Sequence, residues 1–169
     1  IEVVNGFFKQ SDMSTDDSTF DGISSHFGLQ LDSWGELKTK LAELNSNAVD
    51  GVKYKLVFCA RHGQGYHNKV VEIAGITDWD NYWSHLNEGD FNGEHYVWGP
   101  DPFLTERGEA QAKLMNDAFS KEIALGLPLP TRLFSSPFTR SAQTLVITWN
   151  GILVSENPDF ENRLLPLVK

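Results

Sequence analysis

A largely apolar run from Tyr54 to Ala60 has the length of a buried strand, and it leads straight into a turn with two glycines, Arg61-His62-Gly63-Gln64-Gly65. Val70, Val71 and Ile73 follow before a stop at Gly75, so strand, glycine turn and helix succeed one another. The pattern then returns. Thr131 to Ser135 reads as a second strand, with Ser136 as N-cap and Pro137 as first residue of a helix bearing Phe138, Ala142, Leu145 and Trp149. A third, short strand is expected over Ile152–Ser155. Strands alternating with helices predict an α/β fold with a largely parallel sheet. In such sheets ligands bind where strand C-termini meet helix N-termini, so chemistry is expected at these junctions.

The other segments fit around that frame. Residues 9–28 are rich in Ser, Thr, Asp and Gly, including Thr15-Asp16-Asp17-Ser18, and read as a loop-like part of an N-terminal arm over residues 1–32. Ser33-Trp34-Gly35-Glu36 is a capping box that opens a helix with Leu37, Leu41 and Leu44 on one face, stopped by Asn45-Ser46-Asn47. A short helix is expected from an Asp78 cap through Trp79, Tyr82 and Trp83, and the polar stretch from Asn87 to Pro102 reads as a long, functional loop. Thr105 caps the clearest helix, with Ala112, Met115, Phe119 and Ile123 in one stripe and Gly126 and Pro128 at its end. The expectation is a single domain over 1–169, with its core beginning near residue 33.

Composition removes several function classes. With 14 Lys+Arg against 23 Asp+Glu the formal net charge is -9, which repels a nucleic-acid backbone at long range. Hydrophobic residues at 40% support a packed core, and no run of about 18 apolar residues suggests a membrane span. A single cysteine, Cys59, cannot form an internal disulfide and points to a reducing compartment, with the cytoplasm as default.

Two junctions carry cations: Arg61 and His62 after the first strand, Arg140 at the start of the later helix. Two guanidiniums can clamp a phosphoryl group with two hydrogen bonds each, and an unprotonated imidazole between them can attack phosphorus and carry the group covalently. Taken singly, a histidine after a strand is as readily a hydrogen-bonded structural residue, and Arg140 an ion-pair residue. His62 and His67 sit in a glycine turn with no Cys or Asp at ligand spacing, so no metal is expected. Thr105 and Gly108 are explained as helix punctuation. Trp79, Trp83 and Trp98 either line a pocket or cover a sheet edge.

Val57-Phe58-Cys59-Ala60-Arg61-His62-Gly63 resembles the arginine-histidine-glycine signature of the histidine phosphatase, or phosphoglycerate mutase-like, superfamily. Two further blocks agree in order: Leu104-Thr105-Glu106-Arg107-Gly108-Glu109-Ala110-Gln111-Ala112, and Phe134-Ser135-Ser136-Pro137-Phe138-Thr139-Arg140-Ser141-Ala142-Gln143-Thr144. With Gln64-Gly65-Tyr66-His67-Asn68, the Trp79 to Leu86 segment and the N-terminal arm, the chain is most similar to the fungal phosphomutase-like branch, from about Trp34 onward.

The resemblance implies a three-layer α/β/α sandwich with a mostly parallel sheet. It makes His62 the phosphorylated nucleophile and Arg61 and Arg140 phosphate-pocket arginines; Asn68, Gly63, Gln64 and Thr105 become substrate-binding residues. No cofactor is implied. Gln64 and Gly65 stand where cofactor-dependent mutases carry glutamate and serine, which favours hydrolysis of phosphorylated small molecules. A mutase-type phosphotransferase and an inactive phospho-ligand-binding relative are the alternatives. The family also uses a second, late pocket histidine and a carboxylic acid. Here the last histidine is His95, and Glu161, Asp159, Glu156 and Asp101 are the acid candidates. The expectation is therefore an N-terminal part of a longer protein, completed by a C-terminal segment or a second chain, because three short strands alone would leave a sheet edge bare.

Overall fold

The computed structural model describes residues 1–12, 21–154 and, as backbone, 164–166. Its elements are α1 (Trp34–Ser46), α2 (Tyr66–Ala74), α3 (Ile76–Asn81), β1 (Glu88–Phe91), β2 (Glu94–Val97), α4 (Glu106–Ala124), β3 (Leu133–Ser135), α5 (Thr139–Trp149) and β4 (Leu164–Pro166). They fall into two compact units, Ile1–Cys59 with Ala118–Pro130, and Ala60–Asp117 with Thr131–Lys169. No described helix is long and apolar enough to cross a membrane.

In the first unit, α1 begins where its cap predicts: Ser33 Oγ accepts the Glu36 N–H at 3.1 Å. The Glu36 carboxylate reaches back to the N–H of Asp32, one residue beyond the reciprocal capping-box partner, and also pairs with Lys40. Trp34 and Leu37 are buried, and Phe119 on α4 stacks with Phe27 and Phe58 at 4.9 and 5.7 Å between centroids. The arm is more structured than its composition suggests. Phe8 bridges Leu29, and His26 and Phe27 adopt left-handed backbone in a 3-10 turn over His26–Gly28. Residues 13–20, with Thr15, Asp16, Asp17 and Ser18, lie outside the described residues.

The expected strand over Tyr54–Ala60 does not form among the described residues. Burial alternates, with Tyr54, Leu56 and Phe58 half-buried and Val57 69% exposed, but no second segment among the described residues accepts its ladder. Instead the Asn45 side chain plays the part of a neighbouring strand at one residue, giving and receiving a 3.0 Å bond with the Tyr54 backbone. Hydrophobic pattern selects an in-and-out alternation; a strand additionally needs a partner backbone.

In the second unit, the stretch expected to be a loop from Asn87 is an antiparallel hairpin, β1 with β2, turning through Asn92 (φ 53°) and Gly93 (φ 83°). Asn-Gly supplies the two positive φ values that a tight hairpin turn requires. Tyr96 and Trp98 pack with Val70 of α2, which is 0% exposed, and with Tyr66, Trp79, Trp83 and Phe91. The tryptophans thus form a core beneath the hairpin, and Trp98 Nε1 donates to Leu86 O at 2.7 Å. Helix α3 starts at Ile76 rather than at an Asp78 cap, because Gly75 (φ 83°) ends α2 and its carbonyl accepts the first α3 bond from Trp79.

The second strand shortens to β3, which pairs in parallel with β4 through Leu133↔Leu164 and Ser135↔Pro166. The strand expected over Ile152–Ser155 is a turn as far as Val154, where the N–H groups of residues 152–154 converge on the Trp149 carbonyl; Ser155 lies outside the described residues. Helix α5 begins at Thr139, three residues after the expected Ser136 cap, because the Asp101 carboxylate takes the Thr139 N–H at 2.9 Å and its hydroxyl at 2.6 Å. The fold is mixed α/β. Among the described residues its sheets are one antiparallel and one parallel pair.

Candidate active site

Three sequence blocks meet within the second unit around the turn at Gly63. A Cβ on Gly63 would collide with the Gly108 carbonyl, and a Cβ on Gly108 with the backbone of Gln64, so the turn lies backbone to backbone on the first turn of α4. Glycine is required at both positions for that approach. Thr105, buried, donates its N–H to Gln64 O at 2.9 Å and its hydroxyl to Gln64 Oε1 at 2.7 Å. Thr105 Oγ1 also accepts the Gly108 N–H, capping α4 as predicted. Gln111 Oε1 accepts the Gln64 N–H at 2.8 Å, and Gln64 Nε2 donates to Glu72. From α5, Thr144 Oγ1 accepts the Gly63 N–H at 3.1 Å and donates to Arg140 O, while Gln143 holds the Leu104 N–H. Asn68 Oδ1 takes the Gly65 N–H at 3.0 Å and closes the start of α2.

This scaffold presents His62. Its Nδ1 lies 2.7 Å from Gly63 O, and its Nε2 lies 3.2 Å from Arg140 Nε. A carbonyl only accepts and an arginine Nε–H only donates, so Nδ1 carries the proton and Nε2 presents a lone pair. The Arg140 guanidinium lies over the Phe138 ring at 4.4 Å. Neither Arg61 nor Arg140 pairs with a carboxylate among the described residues. In a chain of net charge -9 that is a local reversal of sign, and it suits an anion.

The His67 ring lies 5.3 Å from that of His62. Burial, followed by the charges of Arg140, His62 and Arg61, pushes its pKa down to about 4. That repulsion also registers Arg61 as part of the cluster. Among the described residues no three metal-ligating side chains gather as a metal cradle.

Of the residues expected from the sequence, His62 and Arg140 touch, Arg61 acts on the same cluster through its charge, and Gly63, Gln64, Asn68 and Thr105 build the loop that carries them. Thr105 and Gly108 do more than punctuate a helix, since both press on the turn at Gly63 and Gln64. Asp101 caps α5, and His95 belongs to the hairpin, bonded to Asp90. Glu156, Asp159 and Glu161 lie outside the described residues. Gln111, Gln143, Thr144 and His67 received no role from the sequence. The first three fall inside the two helix-start blocks, the one signal that could have marked them; Gln143 and Thr144 are half-buried and Gln111 exposed.

Over 181 aligned positions the chain is 32% identical to a probable phosphoglycerate mutase of Arthroderma benhamiae, covering 98% of this chain and 51% of that protein. The chain belongs to the histidine phosphatase superfamily, in a fungal branch. A second member, a probable phosphoglycerate mutase of Saccharomyces cerevisiae, is 37% identical across 72% of this chain and 38% of its own. Phosphomutase-like protein 3 of Candida albicans is 34% identical across 86% and 41%. The chain therefore spans about half the length, or less, of the curated superfamily members it matches. No family model and no solved structure matches it.

Proposed function

We propose that this chain carries the nucleophile and phosphate pocket of a phosphatase that hydrolyses phosphate monoesters of small molecules through a phosphohistidine on His62. The observation that carries this reading is the tautomer of His62: with Nδ1–H held by Gly63 O, Nε2 is the nitrogen free to attack. Arg140 Nε–H donates to that lone pair at 3.2 Å. An arriving phosphoryl group draws the guanidinium onto its own oxygens and uncovers Nε2. The nitrogen then bonds to phosphorus as the P–O bond to the leaving group breaks, and a general acid protonates the departing alkoxide. Water attacks phosphorus in the second step and returns phosphate and free histidine.

Asp101 is committed to capping α5, so the acid is sought outside the described residues, among Glu156, Asp159, Glu161 or a completing segment or chain. Gln64, Asn68 and Thr105 act here as positioning residues, since Thr105 and Gln64 spend their side chains on one another. The parallel β3–β4 pair is consistent with one part of a three-layer α/β/α sandwich. A mutase reading draws support from the names of the relatives.

The test is incubation with p-nitrophenyl phosphate and with a sugar-type phosphate. Phosphate release with an acid-labile, base-stable phosphoprotein, both lost in His62→Ala, is the expected result. An isomerised phosphate without net release favours the mutase, and phosphate binding without turnover favours the inactive relative.

A further inference from the structure

We infer that His67 is a further anion-binding residue of this pocket, taking up a proton from solvent as a dianionic phosphoryl group arrives, so that binding is proton-linked. The inference rests on the phosphate-pocket reading of His62 and adds a residue to that site. His67 Nδ1 is buried and is the one such side-chain atom among the described residues without a hydrogen-bond partner. A buried ring nitrogen left unpaired is costly, and the cost persists only where something else is offset by it.

The surroundings show what that is. A Cβ placed on Gly65 would lie 2.8 Å from His67 Nδ1 and 3.3 Å from Arg140 Cδ, so imidazole and arginine converge over this glycine. Every charged or titratable group that acts on the ring is basic: Arg140 from α5, and His62 and Arg61 from the turn. Burial first, and then these groups, hold the imidazole neutral, with its pKa pushed down to about 4. A dianion among the same groups reverses the sign of the local field. It favours the imidazolium, and its oxygens supply the acceptors that the ring lacks. Gly65 leaves the room for this; a serine or alanine there would push the ring aside.

Sulfate is the probe, since it stays dianionic across the range and any pH dependence belongs to the protein. Ring nitrogen resonances of His62 and His67 are followed by NMR from about pH 4 to 8, with and without sulfate, beside measurements of sulfate affinity. The expected result is a His67 midpoint raised by about two pH units with sulfate, from about 4 to about 6, and an affinity about tenfold higher at pH 5 than at pH 7.5. In His67→Gln and in Gly65→Ala, most of that gain disappears while the fold, read by backbone spectra, remains. If sulfate moves the His62 resonances and leaves the His67 midpoint in place, the inference fails and the pocket reading survives. If neither ring responds, both fail. Full pH dependence retained in His67→Gln also overturns the inference and assigns the proton to His62.

Discussion

His26 and His62 each meet a side chain from a distant segment, and their surroundings show opposite ways of handling a polar group. In the first unit, Nδ1 of His26 sits 3.0 Å from both oxygens of Glu122, which is 2% exposed and also accepts the Trp34 indole N–H at 2.7 Å. The contacts there join groups of complementary character, a carboxylate with an imidazole nitrogen and an indole N–H. In the second unit, His62 meets Arg140, with His67 and Arg61 beside them and, among the described residues, no carboxylate paired with either arginine and one buried nitrogen unpaired. Paired donors and acceptors mark a structural cluster; cationic side chains gathered beside a ring nitrogen without a partner are what the proposed anion site requires.

The contrast breaks most visibly at the backbone contact beneath the turn. Gly108→Ala, which in an open helix would add about 0.5–1 kcal/mol of stability, is expected to cost more than about 3 kcal/mol here, because its Cβ meets the Gln64 backbone. Urea denaturation measures it, and a gain in stability would show that the turn does not lie on α4. Glu122→Ala comes next, at about 3 kcal/mol, since it strands the Trp34 N–H and removes the partner of His26. Sulfate affinity in the same variant should stay at the wild-type value.

Arg140→Ala reverses the two readouts. Phosphate binding, measured by calorimetry, weakens by about 2 kcal/mol or more, while stability stays within about 0.5 kcal/mol because an uncompensated charge is removed along with its contacts. An unchanged phosphate affinity would place Arg140 outside the pocket. Asp101→Ala should cost about 1 kcal/mol of stability through loss of the α5 cap, and should weaken phosphate binding a few-fold because Arg140 sits in that first turn.

The smallest effect is a slope with pH. The His67 imidazole titrates near 6.5 when unfolded and near 4 when folded, so its neutral form is favoured by the fold. The unfolded chain takes up the proton first, and stability present above 6.5 is lost as pH falls from 6.5 towards 4. His67→Gln should flatten that portion of a denaturation-against-pH curve. His95, raised by its bond to Asp90, carries the opposite sign: its contribution is complete below 6.5 and fades as pH rises through its folded value. An unaltered slope in His67→Gln would remove His67 from the cationic cluster.

Much of this was legible from residue order. Ser33 and Thr105 announced α1 and α4 because a cap is a local bond between residues three apart, and Gly75 announced the end of α2 because positive φ favours glycine. Asn92-Gly93 carried an equally local signal for the hairpin, and the polar flanks concealed it by suggesting a loop. The start of α5 at Ser136 misled because the carboxylate that holds its first N–H, Asp101, comes from a distant segment.

Residue order singled out Arg61, His62 and Arg140 as the candidates for chemistry, at turns within the three ordered blocks. Their arrangement was decided only by tertiary structure. Which nitrogen of His62 carries the proton depends on Gly63 O and Arg140, and the role of Gly108 depends on a backbone lying against it. Tyr54–Ala60 has the composition of a strand and, among the described residues, no ladder, because a strand is a relation between two segments. His67 illustrates the same division. Its type and position are local facts, but its depressed pKa and unpaired nitrogen come from burial and from Arg140, brought beside it across more than seventy residues of chain.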